Sequence, residues 1–135
     1  MTTPVAGFGL DRIGQISIVV HDVPRAVAYY RDVLGMRFLF SAGPALAFFD
    51  CGGVRLMLGP ASEPRFDHPA SIIYYKVDDI RTAFGTLKAR GAIVEREPQL
   101  TANMGTYELW TGFLRDPDDN LLALMSEVPV PGAPR

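Results

Sequence analysis

"QISIVVHDVPRAVAYYRDVLG" (residues 15–35), set above "IIYYKVDDIRTAFGTLKARG" (residues 72–91), decides the fold. Val20 meets Val77 and Asp22 meets Asp79. The stripe Val23, Val27, Tyr30, Leu34 meets Ile80, Phe84, Leu87, Gly91. At a slightly larger shift, "DCGGVRLML" (50–58) meets "DPDDNLLAL" (116–124). There Asp50 stands over Asp116, Gly52-Gly53 over Asp118-Asp119, and Leu56 and Leu58 over Leu122 and Leu124. Two matches in the same order make the chain two copies of one unit.

Each copy has the same layout. Residues 13–20 are apolar and β-branched, which suits a strand. Asp22 offers a helix-capping oxygen, and Pro24 is tolerated in the first turn. The stripe 23, 27, 30, 34 is one helix face, and Gly35 ends the helix in a left-handed conformation. Strands are expected at 36–41, 45–51 and 54–59, with turns at Gly43-Pro44 and Gly52-Gly53. The second copy reads as strand 71–77, helix 80–90, and strands near 92–97, 107–115 and 120–126, with a loop at 98–106. The fold class is therefore α+β, two βαβββ units in one domain, at about 12–59 and 71–126. Residues 60–70 form a linker, and 127–135, ending in "PVPGAPR", a loose tail. The acids of "DPDDN" fall where the first copy has its Gly-Gly turn. They read as a turn rather than a calcium loop, which needs Asp-x-Asp-x-Asp-Gly and a later Glu.

Composition narrows the function. Hydrophobic residues make up 48% of the 135, charged residues 21%, and the net charge is −2. There is no basic block for nucleic acid and no apolar run long enough to span a membrane. A single Cys51 excludes an internal disulfide and a Cys-rich zinc site. With no signal-peptide pattern, the expected location is the cytoplasm.

The repeated unit, with "DVPRAVAYYRDVLG" in the first copy and "DPDDNLLAL" closing the second, resembles the vicinal oxygen chelate superfamily over residues 12–126. That group includes glyoxalase I, extradiol dioxygenases and the bleomycin and fosfomycin resistance proteins. The resemblance implies a curved mixed-sheet cup and a homodimer. It also implies four cup positions that carry His, Glu or Gln ligands in metal-using members. Residue by residue they fall on Gln15, Met57, Ile72 and Ala123. Only Gln15 can ligate a hard or borderline divalent ion; Met is a soft ligand, and Ile and Ala are none. A catalytic zinc typically keeps three protein ligands. The expectation is a cup without metal or other cofactor.

Strand alternation then predicts the lining. Gln15, Ser17, Arg55, Met57, Ile72, Tyr74, Ala123 and Met125 face the cup, while Ile16, Ile18 and Val20 pack under the helices. Lys76 stands near the rim, and "YELWTGF" (107–113) adds Trp110 or Phe113 as a wall. A mostly apolar lining with few polar points is the makeup of a small-molecule pocket. His21 reads as a solvated residue before the helix cap, and His68 as a linker residue. Three functions compete. One is metal-independent binding of a small apolar or aromatic molecule. Another is a metal-dependent lyase, isomerase or dioxygenase using non-standard ligands such as Gln15, Glu108 and His68. The last is a degenerate member with a filled cup. The expected partners are a small molecule and a second copy of the chain, with no nucleic acid and no membrane. The catalytic residues are unknown.

Overall fold

Two four-stranded mixed sheets of identical topology carry the repeat into three dimensions. The computed structural model describes Gly9, residues 11–68 and residues 71–131. The linker residues 69–70 and the tail residues 132–135 lie outside the described residues. The first sheet has the order β1 (Gln15–Val19), β4 (Val54–Gly59), β3 (Leu46–Cys51), β2 (Arg37–Ala42). The second has β5 (Ile73–Lys76), β8 (Leu121–Pro129), β7 (Tyr107–Arg115), β6 (Ile93–Asn103). In each sheet the first strand pairs in parallel with the last, and the remaining pairs are antiparallel. No described helix is long and apolar enough to cross a membrane.

The helices begin where the sequence caps them. Asp22 accepts from the Arg25 N–H to open α1 (Val23–Ala28), and Asp79 accepts from Arg81 and Thr82 to open α2 (Ile80–Ala89). The first helix does not run regularly to Leu34. It passes into a π-helical turn at Tyr29–Val33, closed by Leu34 N–H to the Tyr29 carbonyl at 3.0 Å. Such widened turns tend to mark functional or strained positions. Here the turn brings two consecutive tyrosines inward, and both reach the other unit. Gly35 takes φ +72° and stops the segment as expected. Gly52 and Gly53 both have positive φ, the requirement of a two-residue hairpin.

Two expectations of extent need correction. Residues 98–103, expected in a loop, continue β6. Pro98 is tolerated because β6 is an edge strand, and register shifts between Val94 and Ala102 accommodate it. Residues 127–129, expected in the tail, extend β8 and pair with Leu109, Glu108 and Tyr107.

The core lies between the helices and one face of each sheet. Ile18, Val20, Leu56, Leu58 and Phe49 from the first sheet, with Leu114, Leu122 and Leu124 from the second, join Ala26, Tyr30, Ile80 and Phe84. The units are joined by hydrogen bonds from the π turn to the β7–β8 turn. Tyr29 Oη donates to the Arg115 carbonyl at 2.7 Å and accepts from the Ile93 N–H at 3.1 Å. Tyr30 Oη donates to Asp116 at 3.0 Å. Burial, first of all, pushes both phenols up from their ordinary pKa, so they stay donors.

Candidate functional site

The sheet faces turned away from the helices hold the positions mapped to the cup. Alternation on β1 and β4 leaves Gln15, Ser17 and Arg55 exposed and Met57 half-buried, while Ile18, Leu56 and Leu58 are buried on the other side. Register across the first sheet aligns Ser17, Met57, Phe48 and Phe40 in one row. Phe40 and Phe48 stack at 4.8 Å, and Arg55 lies 5.5 Å over the Phe48 ring. The second sheet repeats the arrangement: Tyr74, Ala123, Phe113 and Arg96 share one row. Tyr74 meets Phe113 edge-on at 6.0 Å, and Arg96 lies 4.8 Å over the Phe113 ring. Ala123 is fully buried beneath these aromatics, whereas Ile72 and Tyr74 stay 42% and 49% exposed. Together with Arg115, Glu95 and Leu121 they border a hollow of about 380 Å³. Met125 lies next along the same face, paired with Lys76 and Thr111.

Of the nine residues predicted to line the cup, Gln15, Ser17, Arg55 and Met57 lie on the outer face of the first sheet, and Ile72, Tyr74, Ala123 and Met125 lie on or beside the outer face of the second. Trp110 is the exception. It packs with the core on the helix side, with the Arg81 guanidinium 5.3 Å over its ring. One position of strand register separates it from the cup side, and Phe113 takes the place of the wall. Phe48, Phe40 and Arg96 were missed. Alternation on β3 could have placed Phe48, but Phe40 follows a register shift on β2 that sends Phe38 to the core and Phe40 to the other face. Arg96 lies at a bulge, where simple alternation fails.

The four mapped ligand positions do not fit a divalent ion. Gln15 offers the one suitable oxygen, and Arg55 Nε already donates to it at 2.8 Å. Its amide nitrogen points to Met57 Sδ at 3.7 Å. A guanidinium beside the single donor repels a cation, and Met57, Ile72 and Ala123 cannot make up the set. The alternative set is no better gathered. Glu108 accepts from Trp110 Nε1 at 3.4 Å, and His68 stands at the junction of the units against Asp67.

A second concavity lies away from the cup, between the units on the helix side. It measures about 470 Å³ and is walled by Leu34, Met36, Tyr75, Val77, Leu87, Leu114 and Leu124, with Arg37, Asp50 and Cys51 towards its mouth. Tyr75 Oη is buried with no hydrogen-bond partner among the described residues, and burial pushes its phenol up. Burial and the neighbouring Asp50 also push the Cys51 thiol up. Only the thiolate is nucleophilic, so Cys51 reacts with a disulfide reagent more slowly than free glutathione does at the same pH. A rate equal to or above that of glutathione contradicts this environment.

The "DPDDN" turn is more than a turn. Asp119 takes φ +67°, as an Asp can, but Asp116, Asp118 and Asn120 are buried. Asp116 Oδ1 accepts the Asp118 and Asn120 N–H groups, both at 2.9 Å. Its Oδ2 accepts from Asn120 Nδ2 at 2.8 Å and from Tyr30 Oη. Asn120 Nδ2 also donates to the Val19 carbonyl at 2.9 Å. Asp118 Oδ1 accepts from the His21 N–H at 2.9 Å and from Arg25 Nη2 at 3.0 Å. His21 is thus fixed at the corner of β1 and α1, with Asp67 at 2.9 Å from its Nε2. Asp67 also holds His68, whose pKa it raises, while the His68 and His21 contacts hold the Asp67 carboxyl below its ordinary value.

Comparison with known proteins agrees with this architecture. The family model described as Glyoxalase/Bleomycin resistance protein/Dioxygenase superfamily matches residues 12–124. No curated protein matches the sequence. Among solved structures, a superfamily member from Sphaerobacter thermophilus superposes with TM-score 0.72 at 23% identity, over 87% of this chain and 98% of that one. Lactoylglutathione lyase from Agrobacterium tumefaciens gives 0.69 at 21% identity, over 87% and 95%. A glyoxalase/bleomycin resistance protein/dioxygenase from Alicyclobacillus acidocaldarius gives 0.69 at 19%, over 87% and 92%. At these identities the likeness is one of fold.

Proposed function

Because the chain belongs to the glyoxalase/bleomycin resistance protein/dioxygenase superfamily, we propose that its cup faces bind a small aromatic or largely apolar organic molecule carrying an anionic group, without a metal in the cup. The observation that carries this reading is the arginine laid over a phenylalanine in each sheet, Arg55 on Phe48 and Arg96 on Phe113. Neither arginine has an ion-pair partner among the described residues, unlike Arg115, which Glu95 holds at 3.0 Å. An aromatic ring stacks on such a platform, and a carboxylate takes the guanidinium in a forked pair. A cationic drug of the bleomycin kind meets like charge there.

The chain acts as a homodimer in this reading. Phe40, Ile72 and Tyr74 are large, 40–50% exposed and packed on nothing opposite, so a second copy laid over them closes the cup and removes that apolar surface from water. The protein works in the cytoplasm, where its lone cysteine needs no partner. A metal-dependent lyase, isomerase or dioxygenase needs a ligand set that the cup positions Gln15, Met57, Ile72 and Ala123 do not offer.

Calorimetric titration with matched aromatic carboxylates, amides and amines tests the proposal. The carboxylates bind, the amides and amines bind far less, and Arg96→Ala and Arg55→Ala each weaken the carboxylate by roughly ten- to a hundredfold, the worth of one charged hydrogen bond. Equal affinity for amide and carboxylate, or indifference to both arginines, refutes the reading. Protection of Cys51 from thiol reagents by the bound carboxylate moves the site to the inter-unit cleft instead. Sedimentation of a monomer at the titration concentration removes the shared cup.

A further inference from the structure

We propose that His21, Asp67 and His68 form a divalent transition-metal site that clips the linker to the junction of the two units, apart from the cup. One donor atom from each of the three residues lies within 4.8 Å of the others. Two imidazoles and a carboxylate are the donor chemistry of zinc, nickel or copper rather than calcium or magnesium. Tetrahedral bonds of about 2.0–2.1 Å set donors roughly 3.4 Å apart. His21 Nε2 and His68 Nδ1 lie at 2.9 Å and 2.5 Å from the Asp67 carboxylate, so small side-chain rotations admit an ion. The side chains are 56%, 38% and 28% exposed, which leaves an entry path and an open coordination position for water.

The surroundings suit such an ion. A metal-bound histidine ordinarily offers its second ring nitrogen to an outer oxygen. The His21 Nδ1 stands 3.4 Å from Asp118 Oδ1, near enough to close that bond on a small turn of the ring. His68 buries its Nε2. That nitrogen and Asn120 Oδ1 are both buried and without a hydrogen-bond partner among the described residues. The Asp118 side chain is 0% exposed, and its Oδ2 likewise has no partner among the described residues. Arg25 neutralises Asp118, and among the described residues the Asp67 carboxylate has only the two imidazoles as ion-pair partners, so a negative charge is left for them to share. A bound dication balances that charge and fixes both rings with their outer nitrogens on Asp118 and Asn120. His21 lies beyond the end of β1, and Asp67 and His68 come from the linker, so the site shares no residue with the four cup positions.

Tag-free full-length protein, stripped with a chelator, is titrated with Zn²⁺ against a chromophoric competitor and, separately, with Co²⁺ read by its visible ligand-field bands. One ion per chain is expected, with a rise in Tm. His21→Ala and His68→Ala each weaken it by roughly a hundredfold or more, while Asp118→Asn, which removes an outer partner, costs roughly ten- to a hundredfold. Gln15→Ala leaves the Zn²⁺ affinity of this site unchanged. The idea is overturned if the wild-type chain takes up no Zn²⁺, a result independent of whether any variant folds. It is equally overturned if the His21→Ala/His68→Ala double variant still binds one ion, or if Gln15→Ala alone abolishes binding.

Discussion

Asp116→Ala lowers stability by about 3–5 kcal/mol and the Tm by on the order of 10–20 °C. Asp116 is 1% exposed, and its two oxygens take four donors: two backbone N–H groups of its own turn, the Asn120 amide and the Tyr30 hydroxyl. Alanine strands all four in a place water does not reach. Tyr30 is itself 0% exposed, so it cannot swing out to solvent to recover its bond. Asp116→Asn keeps one acceptor for the turn but presents an amide nitrogen to the other side. It falls between wild type and alanine, with Tyr30 turning its hydroxyl to accept. Thermal and urea denaturation followed by circular dichroism give the values. A loss below about 1 kcal/mol for alanine contradicts the assignment of Asp116 as the pin between the units.

That pin marks the limit of what sequence reading reached. The repeat was visible because strands and helices write their periods into the chain, and Asp22, Asp79, Gly35 and Gly52-Gly53 punctuate them at matching places. The four cup positions came from the family resemblance, and the period of two only extended them to their neighbours on the same strand faces. "DPDDN" was legible only as a turn. Nothing local distinguishes Asp119, which turns to solvent, from Asp118, which is buried against His21 and Arg25 from another unit. His21, Asp67 and His68 escaped for the same reason. Asp67 and His68 are neighbours, but His21 comes from 46 residues earlier, and only the docking of the linker on the β1–α1 corner joins them. The π turn was unreadable too, since the stripe 23, 27, 30, 34 fits a regular helix. The inward turn of both tyrosines is settled by what they bond to across the junction.

Phe84→Ala and Gly112→Ala show how the helix side governs the cup side. Phe84 is 1% exposed and lies against bare backbone: a Cβ added at Gly112 would come within 2.8 Å of the Phe84 ring and 3.2 Å of the Pro98 nitrogen. Truncating Phe84 leaves a cavity and costs about 3–5 kcal/mol. Adding the methyl at Gly112 overpacks the same contact and costs about 1–3 kcal/mol. In the double variant the new methyl enters the space the ring has left, so the loss is smaller than the two single losses together by about 1–3 kcal/mol. The Pro98 backbone cannot retreat as a side chain can, so the rescue is partial. Gly112 sits between Thr111 and Phe113, whose side chains point to the opposite face of β7. The ring of Phe84 therefore sets the height of the strand that presents Phe113 and, across the register, Arg96. Phe84→Ala should weaken carboxylate binding beyond what its lowered stability explains, at temperatures where it remains folded, and the Gly112→Ala addition should restore part of that affinity. Urea melts of the four proteins give the coupling and titrations give the affinities. Simple additivity in the melts would show that Phe84 and Gly112 do not share one space.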